Sequence, residues 1–206
     1  MIEKTFIYEL DKVLTFGDKD FFDNFAFIMH SALIKDLSLY TDLIDEMYEI
    51  CERDRDILAD ILERAQKDRQ LVIELNKKDD NVNPLSFGYK LGEAISDVCK
   101  DQFGPGEYLA LGCVAESFIS YKKNWLNKDE YYEIRDMFVP FYLPISVTML
   151  DVEAVINSFK ESNIPNSDGM YSFALLKKIG RTVVDNTVTL DDIKEALLEI
   201  NFDEAW

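Results

Sequence analysis

Between Pro84 and Gly112 the chain reads PLSFGYKLGEAISDVCKDQFGPGEYLALG, and five of its eight glycines fall in that stretch. Gly88 and Gly92 stand one helical turn apart in a segment whose apolar residues recur at helical spacing, and Gly104 and Gly106 flank Pro105. A glycine inside a helix costs about 1 kcal/mol relative to alanine. A segment that accepts this cost twice in one turn must use the space that two missing side chains leave.

Helical spacing extends through most of the chain. After a short opening of β type, TFIYEL at Thr5–Leu10, apolar residues recur with helical period over Phe21–Leu37, Leu43–Leu75, Gly88–Cys99, Tyr108–Tyr121 and Glu130–Phe141. Breakers separate these runs: KKDDNVNP from Lys77 to Pro84, the glycines on either side of Pro105, and a helix start at Asp151. Toward the end, Met170–Asp185 reads as a β-hairpin, and Thr189 with the acids after it caps a last helix through Ile200. No repeat or low-complexity segment divides the chain, so the expectation is one mainly α-helical domain over residues 1–206 with a small hairpin near its end.

Charge and cysteine content narrow the function classes. A formal net charge of −18 repels a phosphate backbone, and the cluster Lys177, Lys178 and Arg181 reads as a solvated turn, so nucleic acid is excluded as a partner. No apolar run is long enough to cross a membrane, and the opening residues lack a basic head followed by an apolar stretch; the expected location is the cytoplasm. The three cysteines, Cys51, Cys99 and Cys113, are widely spaced and form no C-x-x-C pair, which fits reduced core thiols. The aromatic set Phe21, Phe22, Phe25 and Phe27 reads as core.

The order of elements and the glycine pattern resemble the C-terminal half of 3-dehydroquinate synthase and its sugar-phosphate cyclase relatives. Where that family has LNFGHTFGHAIE, this chain has LSFGYKLGEAIS from Leu85 to Ser96; where the family has HGEAVAIGM, it has PGEYLALGC from Pro105 to Cys113. Upstream, the run ending in FAFIMHSALIKD is similar to the family's strand, turn and LAEVIK helix. Downstream, DGMYSFALLKKIGRTVVDNTVTLDDIKEAL is similar to its closing hairpin and last helix. The resemblance covers nearly all of the chain. It implies a helical metal-binding domain without the family's nucleotide-binding half, and no G-x-G-x-x-G follows a strand here.

The resemblance also places the family's chemistry. The three zinc ligands fall on Phe27, Tyr89 and Pro105, the lysine of the LAEVIK helix on His30, the asparagine of LNFGH on Ser86 and the second histidine on Glu93. A phosphate-binding arginine falls on Val82, the later DKK on Ser162, Asn163 and Ile164, and Lys67 is near another family lysine. Zinc needs about three protein donors, and neither phenylalanine nor proline has one. The resemblance therefore implies no catalytic residue, metal or nicotinamide cofactor, and a vestigial cleft at Phe27, His30, Ser86, Tyr89, Glu93 and Pro105.

His30 is the only histidine. It is either bonded to a neighbour or backbone, as buried polar groups are, or part of a new acid/base pocket with Tyr89 and Glu93, which lie one turn apart on one helix face. The expected role is that of a pseudoenzyme: a protein-interaction or small-ligand module whose ligand is neutral or cationic. A homo-oligomer or protein contact is expected through Thr5–Leu10, as an exposed strand edge. The alternative is one subunit of a split cyclase, a carbon–oxygen lyase, with a separate nucleotide-binding chain.

Overall fold

The computed structural model describes residues 6–76 and 83–202, and among them ten helices and two small sheets follow one another. The helices are α1 (Leu10–Val13), α2 (Asp18–Lys35), α3 (Leu37–Asp45), α4 (Met47–Cys51), α5 (Arg55–Asn76), α6 (Tyr89–Cys99), α7 (Pro105–Lys122), α8 (Lys128–Asp136), α9 (Val152–Ser162) and α10 (Leu190–Glu199). The strands are β1 (Val147–Thr148), β2 (Tyr171–Lys178), β3 (Arg181–Val188) and β4 (Asn201–Phe202), and 3-10 turns occupy Pro84–Ser86 and Val139–Phe141.

Helix α7 is the axis of the fold. Buried residues run along it from Gly106 to Ser120 and lie on every face, the pattern of a helix enclosed by its neighbours and not of a surface helix with one apolar stripe. α2, α6, α8, α10 and β2 all pack on it. Phe21, Phe25 and Phe27 of α2 are buried as expected, Cys113 is buried, and Cys51 and Cys99 are half-buried free thiols. None of the helices among the described residues is long and apolar enough to cross a membrane.

The hairpin, the Asp151 start and the Thr189 cap match the sequence reading. β2 and β3 pair antiparallel around Gly180; Asp151 accepts a hydrogen bond from the Ala154 N–H and Thr189 from the Asp192 N–H. Gly180 has φ 76°, and its N–H donates to the Leu33 carbonyl at 2.8 Å, which fixes the hairpin against the end of α2.

Three expectations are corrected. The opening segment is not a strand: residues 6–9 join no ladder, and α1 starts at Leu10. The side-chain amide of Asn24 replaces a neighbouring strand there, accepting from the Ile7 N–H at 3.0 Å and donating to the Ile7 carbonyl at 3.1 Å. Thr5 lies outside the described residues, as do Lys77 and Val82. The long helical run Leu43–Leu75 is broken at Glu46 and again at Arg53, whose φ is 61°. Arg53 is held in this turn by donating to the Phe16 carbonyl at 2.7 Å, and Asp54 then caps α5 through the Asp56 and Ile57 N–H groups. The Glu130–Phe141 run ends as a helix at Asp136 and continues as the turn that contains Pro140.

Candidate functional site

Gly88 is not inside a helix. It is the N-cap of α6, with φ 77°, a left-handed conformation that glycine adopts without the cost a side chain would add. Nor is space left open beside it. A Cβ on Gly88 would stand 2.6 Å from the Cys113 Sγ, and one on Gly112 would fall 1.8 Å from the Gly88 carbonyl oxygen and 2.7 Å from the Gly92 nitrogen. The glycines of the two helices face one another, and their missing side chains are replaced by helix backbone. The room that the missing side chain leaves at Gly88 is thus filled by α7.

The close approach brings a carboxylate to the start of α6. Glu116 is fully buried on α7; its Oε2 accepts from the Gly88 N–H at 2.7 Å and its Oε1 from the Leu91 N–H at 3.1 Å. A neighbouring helix thus satisfies two of the N–H groups that a helix start leaves unpaired. Burial pushes the Glu116 pKa up to about 8, against the opposing pull of those N–H groups and of Lys90.

At its own start α7 is capped in the same way. Asp23 of α2 accepts from the Gly106 N–H at 2.8 Å and the Glu107 N–H at 3.1 Å through one oxygen, and the Gly104 N–H donates to Glu107 at 2.6 Å. A Cβ on Gly106 would meet the Asp23 carbonyl oxygen at 1.8 Å, so only glycine lets α2 come this near. Burial raises the Asp23 pKa and the two N–H bonds oppose the rise.

The residues of the expected cleft divide among separate places. His30 is fully buried, with its Nε2 at 2.9 Å from the Phe87 carbonyl oxygen, so this nitrogen carries the proton and donates. The ring lies parallel to that of Phe87 and edge-on to Tyr89 at 5.4 Å. Tyr89 is buried, and burial pushes its pKa up to about 12 against the opposing charge of Arg69 on α5. Ser86 donates from Oγ to the Asn83 carbonyl at 2.6 Å and serves its own turn.

Phe27 is buried beside Phe6 and, with Pro105 at the first turn of α7, borders a shallow recess of about 370 Å³ that Ile7 and Phe16 share. Glu93 faces elsewhere. It lines a recess of about 270 Å³ between α6 and α9 with Lys90, Asp97, Ser158, Ser162 and Asn163; His30 and Tyr89 are not in its lining. Ile164 is fully outside, 93% exposed. A single pocket of His30, Tyr89 and Glu93 is therefore not what forms, although Tyr89 and Glu93 sit one turn apart.

Lys90 was not singled out by sequence, yet it brings a cation to the Glu93 recess. Its Nζ donates to the Ser172 carbonyl at 2.7 Å and stands over the Phe173 ring, and burial lowers its pKa. Glu116 had a visible signal, a lone acid in the apolar run Tyr108–Tyr121. Asp23 had none, because it lies among the acids of DKDFFD, which read as a solvated helix start.

The zinc of the family that the chain resembles does not fit these residues. Its three ligand positions hold a buried ring, a buried phenol and a proline, the α7 start beside Pro105 is taken by the Asp23 carboxylate, and among the described residues no three His, Cys, Asp or Glu side chains are grouped to hold a metal ion.

Comparison with known proteins agrees with the fold. Relatives include the 3-dehydroquinate synthase of Thermodesulfovibrio yellowstonii, 22% identical over 194 residues that make up 93% of this chain and 54% of the relative. That of Prochlorococcus marinus is 25% identical over 195 residues, 92% of this chain and 52% of the relative. The chain spans about half the length of these curated relatives. Among solved structures, the 2-epi-5-epi-valiolone synthase ValA of Streptomyces hygroscopicus, determined with NAD+ and Zn2+ bound, superposes with a TM-score of 0.82 at 19% identity over 93% of this chain and 54% of that one. A 2-deoxy-scyllo-inosose synthase complexed with carbaglucose-6-phosphate, NAD+ and Co2+ gives 0.72 at 14% identity over 90% and 53%. The family model described as 3-dehydroquinate synthase C-terminal matches residues 25–163, and the chain belongs to that family.

Proposed function

We propose that this chain is a non-catalytic member of its family, a pseudoenzyme that serves as a protein-interaction or small-ligand module. The observation that carries this reading is the fate of the metal positions. Phe27 and Tyr89 have become packing groups, and Pro105 sits in a helix start already closed by Asp23. Without a Lewis acid to polarise hydroxyl and carbonyl groups, the family's cyclisation loses its largest electrostatic contribution. The Glu93 recess remains as a polar site for a neutral or cationic ligand, with Asp97 and Ser158 as contacts in place of His30 and Tyr89, which are buried and do not line it. A contact with a protein partner or second copy through residues 5–10 belongs to the same reading.

A second reading is favoured by the half-length match: a subunit of a split cyclase that works with a separate nucleotide-binding chain. Metal analysis of the purified protein, combined with cyclase assays in the presence of zinc, NAD and the nucleotide-binding half of a relative, separates the two. The expected result is no stoichiometric metal, no rise in melting temperature with zinc, and no turnover. Stoichiometric zinc together with turnover on adding the second half would replace the pseudoenzyme by the split enzyme.

A further inference from the structure

A cleft of about 580 Å³ opens between the start of α2, the end of α4 and the turn after Phe141, away from the Glu93 recess. One wall is an aromatic pair, Phe22 and Tyr142, with ring centres 4.9 Å apart and planes tilted by 53°. Around it stand the carboxylates of Asp18, Asp23, Glu52 and Glu107, and among the described lining residues Lys19 is the one cation. We propose that this cleft binds a small organic cation, an amine or quaternary ammonium group seated against the Phe22–Tyr142 pair with the carboxylates around it.

Four observations support a cation over other occupants. The faces of aromatic rings attract positive charge, and the row of rings already holds one: the Arg53 guanidinium lies 4.6 Å from the centre of Phe21, which packs edge-on against Phe22 at 5.2 Å. The same arginine is paired with Asp18 at 2.7 Å, so aromatic face and carboxylate already act together on a positive group here. An anion has no comparable place. The start of α7 opens toward the cleft, but its Gly106 and Glu107 N–H groups are occupied by Asp23 and its Gly104 N–H by Glu107.

Tyr142 supplies the fourth. It has φ 55° and ψ 25°, the left-handed position that closes the 3-10 turn, with its N–H donating to the Val139 carbonyl at 3.0 Å and the next N–H to the Phe138 carbonyl. Glycine would close this turn without strain. A tyrosine does so while 76% exposed as a residue, so burial does not account for it. The ring's contact with Phe22 at the cleft wall does. The inference concerns a site apart from the metal positions and holds whether or not the chain is catalytic.

The test is a titration of the full chain with choline chloride, followed by NMR and calorimetry, beside dimethylbutanol, the uncharged analogue in which carbon replaces the nitrogen. The expected result is saturable choline binding at one site that is about tenfold tighter than that of the alcohol, weakens when salt is raised from about 0.05 M to about 0.5 M, and shifts the signals of Phe22 and Tyr142. Tyr142→Gly should abolish it while leaving the melting temperature equal or higher, because the substitution removes the ring and relieves the turn. Glu52→Gln, at an exposed rim carboxylate, should weaken it several-fold. Equal binding of the alcohol, no saturable choline binding, or full binding by Tyr142→Gly would each overturn the proposal; a merely structural Tyr142 would show itself by a lower melting temperature in that variant.

Discussion

α7 takes part in two seams of the same design and different depth. In the middle of the helix, Gly112 lets α6 approach and Glu116 caps that helix from inside the core. At the start of the helix, Gly106 lets α2 approach and Asp23 caps α7 near the surface. Each seam pairs a glycine, which brings two backbones together, with a carboxylate that accepts the N–H groups left over at a helix start. The difference is solvent. Glu116 has none, so its environment alone decides whether it is charged, whereas Asp23 borders the recesses on either side of it and keeps a connection to water. The inner seam is therefore expected to hold the fold together, and the outer one to hold the site region in place.

The hardest test of this contrast is a methyl group in each seam. Gly112→Ala drives a Cβ into the Gly88 carbonyl from mid-helix, where neither backbone can retreat, and should cost about 3 kcal/mol or more, or prevent folding. Gly106→Ala makes an equally short contact, but one turn of α7 can fray beside Gly104 and Pro105, so chemical denaturation should show a smaller loss. Equal losses would mean that depth does not distinguish the seams.

Removing the inner carboxylate comes next. Glu116→Ala leaves two buried N–H groups unpaired and should lower stability by about 2–3 kcal/mol in urea unfolding, while Glu116→Gln keeps the shape with an uncharged side chain. Their pH profiles add the sign. The unfolded chain releases the Glu116 proton near its ordinary 4.5 and the folded chain holds it to about 8. Over that interval the unfolded state binds fewer protons, so this group's contribution to stability is full below 4.5 and is lost as pH rises to about 8. The stability of the parent chain relative to Glu116→Gln should fall across this window, and a flat difference would show that the two N–H groups keep the carboxylate charged throughout.

The smallest effect is expected at the outer seam. Asp23→Ala removes a cap whose N–H partners water can reach, for a loss of about 1 kcal/mol, and Asp23→Asn should recover most of it. A loss as large as that of Glu116→Ala would make the α7 start part of the core.

The seams also show what a sequence displays. α6, α7, α9, α10 and the hairpin were legible because Gly, Pro, Asp151 and Thr189 mark their ends by local geometry. The break at Arg53 was not, because the apolar spacing continues across it and its cause is a contact with Phe16, distant in sequence. TFIYEL has the residues of a strand, but among the described residues no strand lies beside Phe6–Leu10; one amide, Asn24, takes that place, and side-chain substitutes for a ladder have no pattern. In the candidate site, identities were legible and company was not. His30 and Tyr89 do meet, but Glu93, on the same helix as Tyr89, faces α9, since a short helix wedged between two neighbours divides one stripe between them.

The parallel pairing of β1 with β4 is only two residues long, Val147 with Asn201 and Thr148 with Phe202, and Asn201 also grips the Leu150 backbone on both sides. This small clasp sets an order on synthesis. The segment around Val147 leaves the ribosome before α9, the hairpin and α10, and it has no strand partner until all of them have emerged and α10 has docked. A released chain truncated just before residue 200 should hold its helices around α7 and yet expose the Val147–Leu150 backbone to protease, which makes β4 a latch on the packed helices.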